Sequence, residues 1–488
     1  MKQIFTIIFL ILTTSCFGQH SFDMQKISEQ TERIVAKIAI QNRLDGAIIG
    51  VVGGKTEQYG NFAELQKKAT RAELTALTGH PNTAIRCYAF WALSCDSTAD
   101  LLPIVISHLD DTALVYTQFG CIVSQEKAGD FFFDVTRQSI DLNSKKLTPE
   151  EYGYLDSVLI YTPNKLYARN RAIDSARLTE AFYRRTKELV LKENSQSALI
   201  ALAKFRRKED IPLILKSRLA EDNHGPLFFY MAICEFPDQA FRPLLKESLH
   251  DALSQSSRNS GGRGLYNAIA SFKDDTAYQL LQEPFTKIKD ESTRKSHINL
   301  VFDAIRKYYS PAYNGLLWDI WENEKKISPD VFSLLYQQQP EKAFQLTKKA
   351  IQHSNDFYYL SDIDNTVDGK QTVNLLDIML DTVLVRDSAL AVGLINENIR
   401  NANVHLFGTY ADKASKLKHN SCVEALFARL EKEDNPNVYL IAAEVLIAFG
   451  NENINRQIVE VSKRNGNMRE GWGGDAFVKL LKEHDIGY

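Results

Sequence analysis

Asn82-Thr83-Ala84-Ile85-Arg86-Cys87-Tyr88-Ala89-Phe90-Trp91-Ala92-Leu93 is the stretch on which the fold turns. It follows the turn Gly79-His80-Pro81 and reads as a helix rich in alanine and larger apolar residues. Ala89 and Ala92 let neighbouring helices approach closely, while Arg86 is placed to satisfy backbone or carboxyl groups of an adjoining turn. Outward from it the same order recurs: an apolar helix ends in Phe or Leu, a polar turn follows, and an amphipathic helix begins. Ala92-Leu93 leads to Leu101-Leu102-Pro103, and Ala203-Lys204-Phe205 leads to Ile211-Pro212-Leu213. Glu235-Phe236, Ser271-Phe272 and Ala448-Phe449-Gly450 each precede another such start. Helix pairs in fixed order predict an all-α chain, an α–α superhelix of stacked antiparallel pairs.

The length of 488 residues exceeds what one compact core holds, normally about 250–300 residues. Repeats of about 40–47 residues would give about eleven helical hairpins. With 44% hydrophobic and 24% charged residues the composition is that of a folded protein, not a disordered one. A net charge of −3 supplies no basic field for nucleic acid or an anionic membrane surface. Helix punctuation agrees throughout. Thr70 and Glu73 have capping-box spacing, Thr148-Pro149-Glu150-Glu151 reads as a cap followed by a first-turn proline and acids, and Ser310-Pro311 repeats that arrangement. One short strand is expected at most, over Ala47 to Val52.

Asn82, Ile85-Arg86, Ala89, Ala92 and Leu93 match, position by position, the second helix of a HEAT repeat, and on them the chain resembles the HEAT-repeat (armadillo-like) α-solenoid family. A further copy runs from Asn435 to Leu446, with Tyr439 where the family has Arg, so an arginine ladder is interrupted there. Central units such as Ser197 to Phe205 and Leu265 to Phe272 keep the apolar spacing without the Arg. The resemblance extends loosely over about 400 residues and implies a fold and a habit of binding proteins.

At the amino terminus, Lys2 and the uncharged apolar run Ile4 to Leu12 precede Thr13-Thr14-Ser15-Cys16-Phe17-Gly18-Gln19. Residues 1–18 read as a secretory signal peptide, too short to anchor as a spanning helix. The rival reading is a lipobox in which Cys16 becomes the lipidated first residue, although Thr13 departs from the usual Leu. Residues 19–60 would then form an N-terminal helix and a Gly-rich turn, and residues 61–488 one continuous solenoid. Export places the protein in the periplasm or outside the cell, or on the outer membrane if Cys16 is lipidated. Cys87, Cys95, Cys121, Cys234 and Cys422 remain, an odd number suited to buried positions, with one bridge among the first three conceivable.

Chemistry-bearing patterns are few. Gly50 to Thr56 imitates a phosphate loop, but its first glycine position holds Ile49. Asp364-Asn365-Thr366-Val367-Asp368-Gly369 resembles the start of a calcium loop, yet position twelve is Leu375, and Asp377 would serve only after two extra residues. Asp364, Asp368 and Asp377 are thus the sole metal candidates. Gly261-Gly262-Arg263-Gly264 ahead of a helix offers amides and one Arg to an anion such as a carboxylate, or is simply a flexible connector. Ser415-Lys416-Leu417-Lys418 lacks the companions of a Ser-x-x-Lys enzyme and reads as a solvated face together with Lys413. Asp110 and Asp111 read as caps for a following helix. Of the tandem aromatics, such as Phe131-Phe132-Phe133, some must line seams between layers. No catalytic set and no cofactor emerge. The leading expectation is an exported scaffold for a protein or peptide partner, without nucleic acid and without a transmembrane segment. The alternatives are a hydrolase or metal-dependent enzyme with a groove site, and an envelope lipoprotein serving assembly or trafficking.

Overall fold

The computed structural model describes residues 22–49, 54–217, 226–254, 262–356, 363–365 and 372–487. It is all-α in character: 26 α-helices occur among the described residues, with two small sheets. The chain divides into two compact units, Met1–Phe236 and Pro237–Tyr488.

The first unit opens with α1 (Glu29–Gln41), β1 (Arg43–Ile49), α2 (Glu57–Lys68), α3 (Arg71–Leu77), α4 (Thr83–Ser94) and α5 (Leu102–Ser107). A hairpin follows, β2 (Leu114–Gly120) and β3 (Ile122–Lys127). It continues through α6 (Ala128–Thr136), α7 (Pro149–Tyr161), α8 (Ala168–Ser175), α9 (Glu180–Glu193), α10 (Gln196–Lys204), α11 (Ile211–Ser217) and α12 (Leu227–Glu235). The second unit comprises α13 (Arg242–Ser254), α14 (Gly262–Ala270), α15 (Asp275–Lys287), α16 (Glu291–Lys307), α17 (Asn314–Glu324), α18 (Pro329–Gln338) and α19 (Pro340–Gln352). After the two-stranded β4 (Ile363–Asn365) and β5 (Thr372–Asn374) come α20 (Leu375–Arg386), α21 (Ser388–Asn401), α22 (Val404–Leu417) and α23 (Asn420–Leu430). It closes with α24 (Pro436–Ala448), α25 (Glu452–Arg464) and α26 (Gly471–Glu483).

Within each unit helices pack on their neighbours and on the next but one: α9 on α10, α10 on α12, α14 on α15 and α16, α22 on α24, α24 on α26. That order follows from the alternation in the sequence. In α4 every residue from Ala84 to Ser94 is buried, and in α10 every residue from Ser197 to Ala203. Helices apolar all round need covers on several sides, which their amphipathic neighbours supply. α25 is such a cover, burying Ile458 and Val461 while its other faces meet solvent.

The aromatic that ends a buried helix has a geometric role. Phe205, Phe272 and Phe449 are each followed by a residue at positive φ: Arg206 at 53°, Lys273 at 59° and Gly450 at 67°. The N–H of that residue bonds back to the helix, Arg206 to Ala203 O at 2.9 Å and Gly450 to Ile447 O at 2.8 Å. This left-handed step ends the helix and turns the chain toward its partner.

The capping expectations at Thr70, Thr148 and Ser310 hold. Thr70 and Glu73 form a capping box, as do Thr148 and Glu151 around Pro149. Ser310 caps a single 3-10 turn, Pro311–Tyr313, ahead of α17. Glu73 also accepts from Ser28 N and Ser28 Oγ, both at 2.7 Å, tying the start of α1 to the start of α3. Burial raises its pKa, but the bonds from Ser28 and Thr70 outweigh that and bring it down to about 2. Phe131, Phe132 and Phe133 are all fully buried, and Phe132 lies flat on Phe90 across the α4–α6 seam, centroids 4.1 Å apart.

Two expectations are corrected. The strand segment is a three-stranded sheet, β1-β2-β3, rather than one short strand. And Asp111 precedes β2, not a helix; its carboxylate serves Arg86 instead. No helix among the described residues is long and apolar enough to cross a membrane.

Candidate functional site

The sheet of the first unit is built on the helix that decides the fold. On α4, the Tyr88 hydroxyl accepts from Asp45 N at 2.6 Å and donates to Asp45 O at 3.2 Å, fastening β1 to the core. Burial holds this phenol far above its ordinary range, so it stays a donor. Gln58 Nε2 on α2 donates to Arg43 O at 2.7 Å, and the buried Asp45 carboxylate pairs with Arg43 at 3.0 Å. β2 joins β1 in parallel, Arg43 opposite Tyr116 and Leu44 opposite Thr117. β3 returns antiparallel through the two-residue turn Gly120-Cys121, with Gly120 at φ +58° as such tight hairpin turns require.

Register decides what β3 shows to solvent. Ala128 N donates to Ala113 O at 3.0 Å just beyond the strand ends. Hydrogen-bonded pairs alternate with non-bonded ones in an antiparallel ladder. Val115–Glu126, Thr117–Ser124 and Phe119–Ile122 are therefore the bonded pairs, and Gln118–Val123 and Tyr116–Gln125 the others. Val123 and Gln125 thus direct their N–H and C=O groups away from β2, and β3 is the outer strand of the sheet. On the same outer face Leu114 is 57% exposed, Tyr116 58% and Val123 66%. Ile122 at the turn and Ile48 on β1 are exposed as well. Natural sheets usually blunt such an edge with charge, proline or a bulge. Here Glu126 and Lys127 stand at the far end and the hairpin end is apolar.

The inner side of β3 carries a carboxyl cluster. Glu126 is raised to about 8, by burial first, then by the Asp134 carboxylate it faces and hydrogen-bonds, then by Asp130; Arg171 opposes. Asp134 pairs with Arg171 at 2.8 Å, and Asp130 accepts from Tyr167 N and Ala168 N, at 3.0 and 2.8 Å, capping α8. Glu126 has a folded pKa above its ordinary 4.5, so its contribution is full below pH 4.5 and lost as pH rises through about 8. Thermal unfolding followed between pH 5 and 8.5 is expected to show the midpoint falling with pH, and Glu126→Gln, which fixes the neutral form, to flatten that fall. An unchanged slope in the variant would remove Glu126 as its source.

The repeat-motif residues lie on α4 and at its N-cap. Asn82 Oδ1 accepts from Ile85 N at 3.1 Å. Arg86 grips Asp111 with two bonds, Nε to Oδ2 at 2.5 Å and Nη2 to Oδ1 at 2.7 Å, and donates to Pro81 O at 3.0 Å. Ile85, Ala89, Ala92 and Leu93 are buried. Tyr439, in the Arg position of the later copy, is fully buried on α24.

The three metal candidates lie on different parts of the chain, and only Asp377 has a described side chain. Asp364 lies in β4, its backbone opposite Val373, Asp368 falls outside the described residues, and Asp377 sits in the first turn of α20. The Asp377 carboxylate pairs at 2.8 Å with Lys413, which also reaches Asp381 at 2.6 Å. Lys413 is thus buried rather than part of a solvated face. Among the described residues no three His, Cys, Asp or Glu side chains gather to hold a metal. Residues 50–53 of the phosphate-loop imitation Gly50 to Thr56, and the leader with Cys16, also lie outside the described residues. Cys87 and Cys422 are buried and free, Cys95 and Cys234 are half-buried, and Cys121 is exposed at the hairpin turn, against the expectation of burial.

The β2–β3 hairpin is the feature sequence reasoning passed over. Its signal was the alternation in Leu114-Val115-Tyr116-Thr117-Gln118-Phe119-Gly120, β-branched and aromatic residues ending in a turn glycine. The chain matches no protein-family model and no curated protein.

Proposed function

We propose that this is an exported helical-repeat protein of HEAT type that binds an extended segment of another protein along the outer edge of β3. One observation carries the reading: the N–H and C=O groups of Val123 and Gln125 face outward beside the exposed side chains of Tyr116, Val123 and Ile122. A strand added there gains main-chain hydrogen bonds, and the apolar side chains beside it supply selectivity. Tyr88 and Gln58 fasten β1 to the helices, and β2 and β3 are joined to that strand in turn. Export rests on Lys2, the run Ile4 to Leu12 and the small residues at Cys16 and Gly18. The mass of the mature amino terminus separates free secretion from a lipid anchor on Cys16.

Val123→Pro is the discriminating variant, because an edge residue whose N–H points outward tolerates proline without losing a ladder bond. Cross-linking pull-down from the envelope is expected to lose at least nine-tenths of the captured partner in this variant, roughly a tenfold drop, with far-ultraviolet dichroism unchanged. Equal capture by the variant and the parent protein would sink the reading.

A further inference from the structure

We infer that a groove in the second unit, lined by α14, α16 and α18, binds the carboxylate of a monoanionic ligand of the peptide C-terminus class. The groove encloses about 440 Å³ and is lined by Arg263, Asn267, Asp303, Arg306, Lys307 and Asp330. That volume lies within the range of roughly 300–1,000 Å³ typical of small-molecule sites.

Charge is unevenly committed around it. Arg306 Nε donates to both oxygens of Asp330, at 2.9 and 2.7 Å, so these two charges offset each other. Asp303 lies 3.8 Å from Arg263 Nη2 and 3.9 Å from Lys326 Nζ, ion-pair contacts longer than a hydrogen bond. Its one negative charge is spread between two cations. Lys307 Nζ has no carboxylate at ion-pair distance among the described residues and lies beside the Tyr308 ring, 5.4 Å from its centroid. The Asn267 side chain makes no hydrogen bond among the described residues and lines the same groove. The lining therefore counts three cations against two carboxylates, with an uncommitted ammonium and an uncommitted amide. Arg263 stands in the first turn of α14, where the helix dipole adds to the positive side.

This arrangement selects the kind of anion. One carboxylate neutralises the surplus charge and accepts from Lys307, Arg263 and Asn267 together. A phosphate, carrying a charge nearer −2, exceeds the single surplus positive charge and is repelled by Asp303 and Asp330 in the lining. A peptide also brings a backbone amide for the acids to accept from. A terminal carboxylate and a free small acid share this chemistry, and the probes separate them.

Calorimetric titration of the purified protein with N-acetyl-Ala-Ala, its C-terminal amide, acetate and inorganic phosphate tests the assignment. N-acetyl-Ala-Ala is expected to bind at least tenfold more tightly than the amide and than phosphate. Lys307→Gln is expected to weaken it at least tenfold and Lys307→Arg less than threefold. Arg263→Gln, an exposed position, is expected to weaken it severalfold with the dichroism spectrum unchanged. Acetate binding as tightly as the dipeptide would support the carboxylate site but overturn its peptide-terminus class. Equal binding of acid and amide, tighter binding of phosphate, no binding, or indifference to Lys307→Gln would each overturn the site.

Discussion

Arg86→Met is expected to cost the first unit about 3–5 kcal/mol, the range for breaking a buried ion pair from one side. Arg86 and Asp111 side chains are only 9% and 14% exposed, and the guanidinium meets the carboxylate at 2.5 Å. Taking away the cation leaves Asp111 charged with little water to compensate, and the Pro81 carbonyl loses its donor too. The partner change Asp111→Leu in the same chain removes the stranded charge, so the double variant is expected to regain most of the loss. Urea unfolding of the two single variants and the double variant measures this as a coupling energy. A single variant within about 1 kcal/mol of the parent would show that the pair only fills space.

Phe132→Ala is expected to cost about 3–5 kcal/mol for a different reason. Its ring is fully buried, stacked within 4° of parallel on Phe90 and with the His108 ring 4.7 Å away. Truncation leaves a cavity between α4 and α6 that rigid helices close only in part. Phe132→Leu keeps most of the volume and is expected to cost about 1.5 kcal/mol or less. Equal urea midpoints for the Ala and Leu variants would mean the seam collapses freely, against the stacked geometry.

The helical pairs were legible because their signal is local. Buried helices such as α10, and α4 apart from Arg86, are dominated by alanine and larger apolar residues, and the polar turn after the closing Phe or Leu is written beside them. Arg86 was legible as a pairing residue, but its partner was not. Asp111 lies twenty-five positions on and reads equally well as a cap for whatever follows. The sheet escaped because β1 and β2 are parallel strands about seventy residues apart, a pairing no periodicity announces. Only β2 carried the alternating pattern by itself; β3 is exposed almost throughout and shows none. Lys413 was misread for a related reason: buried lysines look like surface ones until the acids that hold them, here Asp377 and Asp381, are seen one layer away.

Helices that are greasy on every side have a dynamic consequence. α10 touches α8, α9 and α12, so melting any one of them strips part of its shelter. Openings are therefore expected to begin at the ends of a unit, where a helix such as α25 leaves most of its surface to water. An interior pair is lost only together with its neighbours. Amide exchange in such a chain should then be fastest at the outermost turns and slow at the centre, where losing one layer means losing several at once.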